Sequence, residues 1–190
     1  MRILQVTALL VFMAPFVCTG QTEDADTTTK TATPDQSQED IRTIHIYGIN
    51  QMKYVVKTSP EAGKTGDEVK ASDGNKYLLL ENIEVSAGQK IRIRLTTVGE
   101  LPASSMSHNW ILLKSGVKPS DFATSAIQAK DRDYIPEGQE EAILAHTGLA
   151  GGGETVEVTF TAPEKKGSYD YLCTFPGHFQ GGMRGKLIVN

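Results

Sequence analysis

Cysteine is scarce in this chain. Its 190 residues contain two, Cys18 and Cys173. If a leader carries Cys18 away, Cys173 is alone, and an intrachain disulfide is excluded. Positive charge is in deficit too: 19 Lys and Arg face 23 Asp and Glu, a net charge of −4. Loss of residues 1–20 removes only Arg2 and leaves 18 against 23, or −5. No basic run or patch stands out, which argues against nucleic acid as a partner. A long apolar run is also missing. Ile3 to Val17 is mostly apolar but short, and Gln5, Thr7 and Pro15 interrupt it, so a permanent transmembrane helix is disfavoured. Methionine numbers five, with Met1 and Met13 in the first twenty residues, so there is no Met-rich tract. No internal repeat is visible.

What is present begins with MRILQVTALLVFMAPFVCTG. Arg2 supplies a positive start, an apolar stretch follows, and Cys18 and Gly20 suit cleavage before Gln21. Residues 1–20 therefore read as a signal peptide, and the protein as exported, periplasmic or cell-envelope associated. Cys18 also offers a thiol for a lipid anchor, but Pro15-Phe16-Val17 before it is bulkier than lipoprotein signals usually tolerate. Simple cleavage is the favoured reading. Residues 21–40, QTEDADTTTKTATPDQSQED, have no large apolar residue and read as a disordered tail, a candidate membrane tether.

From Ile41 the pattern is that of short strands. IRTIHIY alternates Ile44 and Ile46 with His45 and Tyr47, and MKYVVK follows. Residues 58–76 are polar and Gly-rich and read as a loop. YLLLENIEV and KIRIRLTTV read as two strands around a turn at Ser86 to Gln89. The second places Ile91, Ile93 and Leu95 opposite Arg92, Arg94 and Thr96, as a half-buried antiparallel strand does. HNWILLK, EAILAH, TVEVTFTA, YDYLC and KLIVN continue the series. One short helix is expected near 120–130, opened by Pro119, Ser120 and Asp121, with Phe122, Ala126 and Ala129 at helical spacing. Many short strands joined by long connections predict an all-β, Greek-key β-sandwich over residues 41–190.

The chemistry concentrates in CTFPGHFQGGM, Cys173 to Met183. A lone Cys in an exported chain needs a reason, and here four residues separate it from His178 and four more separate His178 from Met183. Thiolate and thioether are soft ligands that favour copper, and imidazole suits it as well. Three ligands on one loop do not complete a trigonal site. The best candidate for a second imidazole is His108, in SMSHNWILL. Two His and one Cys with a weak axial Met form the blue-copper electron-transfer site. His45 lies opposite Ile44 and Ile46 and reads as surface or structural, as does His146 beside Thr147 and Gly148. Trp110 reads as core.

At this point the chain resembles the azurin-type blue copper proteins of the cupredoxin family, with ligand-loop spacing similar to that of auracyanins. IYGINQMKYVV, MSHNWILL, DYIPEGQEEAILAHTGLAGGGETVEVTF and YLCTFPGHFQGGMRGKLIV carry the resemblance. It implies a cupredoxin fold and one type 1 copper per chain, held by His108, Cys173, His178 and Met183. Azurins have one residue fewer between the second His and the Met, so the interval Phe179 to Gly182 follows the auracyanin pattern. Azurins carry a glycine before the first His, whose carbonyl lies near copper. Here that residue is Ser107, a candidate weak carbonyl ligand. The azurin disulfide has no cysteines here. Asn109 is expected to tie the two ligand loops together, donating to the Cys173 sulfur or to backbone nearby, and the N–H of Phe175 to donate to that sulfur.

The resemblance also implies an apolar patch around the edge of His178, the expected electron port, where redox partners dock. Its candidates are Met52, Leu101, Pro102, Met106, Pro176 and Phe179. The expected function is single-electron shuttling between a donor and an acceptor protein outside the cytoplasm, with no small-molecule substrate and no enzymatic turnover. The alternative is copper storage or delivery, which usually uses exposed, exchangeable, Met- or His-rich sites. A multicopper enzyme needs more histidines than His45 and His146 provide, and a zinc site with the same ligands would be redox-inactive.

Overall fold

A computed structural model describes residues 40–57 and 62–190. The expected signal peptide, and the expected tail apart from Asp40, lie outside the described residues. The described residues include eleven strands and one α-helix. They are β1 (Arg42–Ile49), β2 (Lys53–Val56), β3 (Thr65–Lys70), β4 (Lys76–Leu80), β5 (Asn82–Val85), β6 (Lys90–Thr97), β7 (Ile111–Leu113), α1 (Pro119–Ala126), β8 (Ile143–His146), β9 (Thr155–Thr161), β10 (Gly167–Leu172) and β11 (Arg184–Val189).

The strands form two sheets. One has the order β3-β4-β2-β1-β6-β9 and the other β5-β11-β10-β7-β8. Alternation explains which side each presents to its neighbour. Ile44 and Ile46 of β1 and Ile91, Ile93 and Leu95 of β6 point inward from the first sheet. They meet Ile83, Leu112, Tyr169, Tyr171 and Leu187 of the second, with Trp110 fully buried among them. The second sheet is apolar on its other face as well. There Ile111, Leu113 and Leu172 are covered by Phe122 and Ala123 of α1. Pro119 opens that helix with φ already suited to it. The β-sandwich read from the sequence is thus the observed architecture.

Several details differ from the sequence reading. The stretch taken as one strand, YLLLENIEV, divides at Glu81, and its halves enter different sheets. The amides of Glu81 and Asn82 both donate to the Lys64 carbonyl, which fixes this corner. The polar region 58–76 contains β3, whose TGDEVK sequence suits an exposed edge strand. Strand β6 is antiparallel to β9 but parallel to β1. The helix ends at Ala126, and a separate 3-10 turn spans Lys130–Arg132.

Candidate metal centre

One end of the sandwich collects the singled-out residues. His108 lies in the connection from β6 to β7 and makes an isolated bridge to Ala150. Its N–H donates to the Ala150 carbonyl at 3.0 Å and its carbonyl accepts from the Ala150 N–H at 2.8 Å. The His108 ring rests against the backbone of β1 at Gly48. A Cβ there would stand 2.6 Å from Cγ of the imidazole. Only a residue without a side chain leaves that space.

Cys173 directly follows β10 and Met183 directly precedes β11. The Cys173 N–H donates to the Met183 carbonyl at 3.0 Å, which closes the base of the loop. Inside it, the His178 N–H donates to Phe175 at 3.0 Å and the Met183 N–H to His178 at 2.9 Å. The sequence thus folds here as a series of tight turns, with Gly177 at φ +82° and Gly182 at φ +95°.

The side chains converge. The ligating atoms of His108, Cys173 and His178 all lie within 4.8 Å of one another. Nδ1 of His108 is 3.2 Å from Nδ1 of His178, which is 3.4 Å from the Cys173 sulfur. All three residues are buried, and Met183 is fully buried in the same region. Among the described residues this is the one such grouping of His, Cys and acidic side chains.

Burial decides the protonation of these groups. It pushes His108 down to about 3, with further lowering from neighbouring His178, and pushes His178 down to about 4. Both imidazoles are therefore neutral and offer lone pairs. Burial pushes the Cys173 thiol up to about 12, opposed by hydrogen bonds from the backbone N–H groups of Asn109 and Phe175. Those two amides already point at the sulfur, although the apolar surroundings keep the thiol protonated. A cation among these donors supplies the charge that makes the thiolate stable. The donor set fits a soft metal ion such as copper.

The surrounding shell is well tied. The Asn109 side chain accepts from the Thr174 N–H at 2.9 Å and donates to the Thr174 hydroxyl at 2.8 Å, latching the two ligand-bearing segments together. It also donates to the Asp133 carbonyl at 3.2 Å. The Tyr54 hydroxyl donates to the Asn109 carbonyl at 2.5 Å. Ser107 is buried, and its hydroxyl donates to the Ala103 carbonyl at 2.6 Å.

The residues of the expected patch differ in exposure. Leu101, Pro102 and Pro176 are exposed, and Met52 and Met106 are half-buried. Phe179 does not belong with them. It packs with Phe122, Leu113 and Leu172 beneath α1, and the Arg184 guanidinium lies 4.8 Å from its ring centre. The edge of His178 is not open either, since the residue is 2% exposed beneath the loop. His45 and His146 lie elsewhere. His45 stacks on Tyr47 and bonds the Thr96 hydroxyl at 2.8 Å, while exposed His146 ends β8.

Sequence reasoning missed Gly48, Lys53 and Tyr134. Lys53 donates to the Gly181 carbonyl at 2.6 Å. Tyr134 packs edge-on against Phe175 at 5.3 Å. Among the described residues three non-glycines adopt positive φ: Met52, Asp133 and Tyr134. All three border the site, as strained backbone at functional centres often does.

The family described as copper binding proteins, plastocyanin/azurin family, matches residues 65–190. The chain belongs to this family. Auracyanin-A of Chloroflexus aurantiacus is 40% identical to it over 132 residues, which cover 68% of this chain and 73% of that protein. An azurin of Achromobacter denitrificans is 33% identical over 125 residues, or 64% and 82% of the two chains. The solved structure of auracyanin A, a "blue" copper protein of Chloroflexus aurantiacus, superposes with a TM-score of 0.57 at 33% identity. It covers 79% of this chain and 99% of its own. As a plastocyanin/azurin-family member the chain has the cupredoxin β-sandwich, and its His-Cys-His group is the place for one copper ion.

Proposed function

We propose that this protein is a one-electron carrier whose type 1 copper is held by His108, Cys173, His178 and Met183. The observation that carries the reading is the convergence of one buried thiol and two buried, neutral imidazoles at the end of a rigid sandwich. A bound copper ion supplies the Cu(II)/Cu(I) couple. The chain's own residues do the rest. The two sheets fix His108 from one side and the Cys173–Met183 loop from the other, so the donors need not move when charge changes. The Asn109–Thr174 latch holds the two segments in register. The backbone N–H groups of Asn109 and Phe175 draw charge from the Cys173 sulfur, which favours the reduced state.

Redox partners meet the protein, on this reading, over Leu101, Pro102, Met106, Met52 and Pro176. The electron would pass through the cover of His178, which is 2% exposed. Ser107 would offer its carbonyl as a weak further ligand. The N-terminal region directs the protein out of the cytoplasm. Burial of every donor opposes rapid hand-over of the metal and so favours electron transfer over delivery.

The test is the visible and EPR spectrum of the Cu(II)-loaded protein beside a Cys173→Ser variant. An intense thiolate-to-copper band with small copper hyperfine splitting, lost in the variant, is the expected result. A colourless protein, or an ordinary tetragonal copper signal unchanged by the substitution, overturns the reading.

A further inference from the structure

Lys53 opens β2 in the six-stranded sheet, whereas the loop after His178 connects β10 and β11 of the five-stranded one. The Lys53 ammonium nevertheless reaches the Gly181 carbonyl at 2.6 Å. The other backbone bonds of that span are local. The Gly181 N–H donates to Gly177 at 2.9 Å, that of Gly182 to Phe179 at 3.0 Å, and that of Met183 to His178 at 2.9 Å. They tie the loop to itself. The bond from Lys53 ties it to the opposite sheet.

The local sequence is fitted to this contact from both sides. A Cβ on Gly181 would lie 2.7 Å from the Met52 sulfur, and one on Gly182 would run into the Lys53 ammonium. Gly182 also has φ +95°. On the facing segment Met52 is held at φ +56°, an uncommon conformation for a long side chain. The turn between β1 and β2 is therefore bent so that Met52 and Lys53 lie directly over the two glycines that precede Met183.

We propose that Lys53 is a positioning residue for Met183. By holding the Gly181 carbonyl, it sets how closely the Met183 thioether is seated toward His108, Cys173 and His178. An axial thioether bond is long and weak, so the backbone rather than the bond decides its place. A charge-assisted hydrogen bond is strong enough to exert that control. The proposal rests on the copper reading above.

The test uses the full chain with Lys53→Met, which keeps the apolar stem and removes the donor. Lys53→Arg restores a charged donor. Lys57→Met serves as the control for charge alone. Lys57 stands over the Tyr47 ring at 5.1 Å from its centre. Absorption, EPR and reduction potential are measured on Cu(II)-loaded protein, with thermal unfolding of the metal-free forms. Lys53→Met is expected to keep an intense thiolate band but to change the relative strengths of the charge-transfer bands. Its potential should move more than that of Lys57→Met, and loss of copper to a chelator should be about tenfold faster, the scale typical of residues that orient metal ligands. Lys53→Arg should recover most of each change, and the metal-free melting temperatures should stay close together. If the wild type is blue and Lys53→Met matches it, or shifts no further than Lys57→Met, the positioning role is wrong while the copper site stands. A wild type with no blue band removes the copper reading and this proposal together.

Discussion

Gly48 governs the site although it has no side chain to offer. It lies within β1, where glycine normally weakens a strand, and its missing Cβ is the space that the His108 imidazole occupies. Gly48→Ala should push that ring away from Cys173 and His178. Copper affinity should fall by at least about tenfold, on the scale of changes that misorient a ligand, while the sandwich still folds. Copper titration followed at the thiolate band checks this, and an unchanged affinity would show that the ring has room to retreat. Asn109 makes the complementary case. Its side chain satisfies the Thr174 N–H and hydroxyl in a fully buried position. Asn109→Leu leaves those groups unpaired, which costs roughly 1–3 kcal/mol for each buried group stranded. The expected outcome is a lower urea midpoint for the metal-free protein together with a broadened or shifted blue band. A stability loss with an unaltered spectrum would limit Asn109 to holding the fold.

At the scale of elements, α1 supports the site from behind. Phe122 is fully buried against Ile111, Leu113, Leu172 and Phe179, and Phe179 is the residue after His178. Phe122→Ala should cost about 3–5 kcal/mol, the range for removing a buried aromatic ring. Copper loss should also accelerate, because the floor beneath the ligand loop becomes loose. Chelator-driven release measured beside chemical unfolding separates the two effects. Elements also mark where the sequence was legible. Strands β1, β6, β9 and β11 carry clear alternation and were readable, as was the ligand loop, because its donors sit close together in the chain. The change of sheet at Glu81 was not, since the apolar pattern runs on through YLLLENIEV while the corner is fixed by the distant Lys64 carbonyl. Strand β3 was hidden because an edge strand can be polar on both faces. Gly48, Lys53 and Tyr134 escaped for a related reason: each acts through a contact with a remote segment, and no local periodicity records it.

For the whole molecule, the site is a liability without its metal, and pH exposes this. In the metal-free fold His108 and His178 are held at about 3 and about 4, below the ordinary value of 6.5. Between those values and 6.5 the unfolded chain binds more protons than the folded one. Stability is therefore fully present above pH 6.5 and falls as the pH drops toward 4 and then 3. The window from pH 7 to 5 keeps carboxylate contributions small, because it lies above the ordinary carboxylate range, and a variant lacking both buried imidazoles accounts for the other two histidines. The urea midpoint of the metal-free protein should decrease steadily across it. A His108→Gln, His178→Gln double variant should give a flatter profile, since those two groups are gone. Copper acts in the opposite direction by binding only the folded state. At about 1,000 times its dissociation constant a ligand adds about 4 kcal/mol, and ligated imidazoles no longer take up protons. The copper-loaded protein should therefore hold its midpoint across the same window, and the gap between the loaded and metal-free forms should widen as the pH falls. A metal-free midpoint that stays level from pH 7 to 5 would mean that the two imidazoles open to solvent without copper, so that the metal completes the site's packing as well as its chemistry.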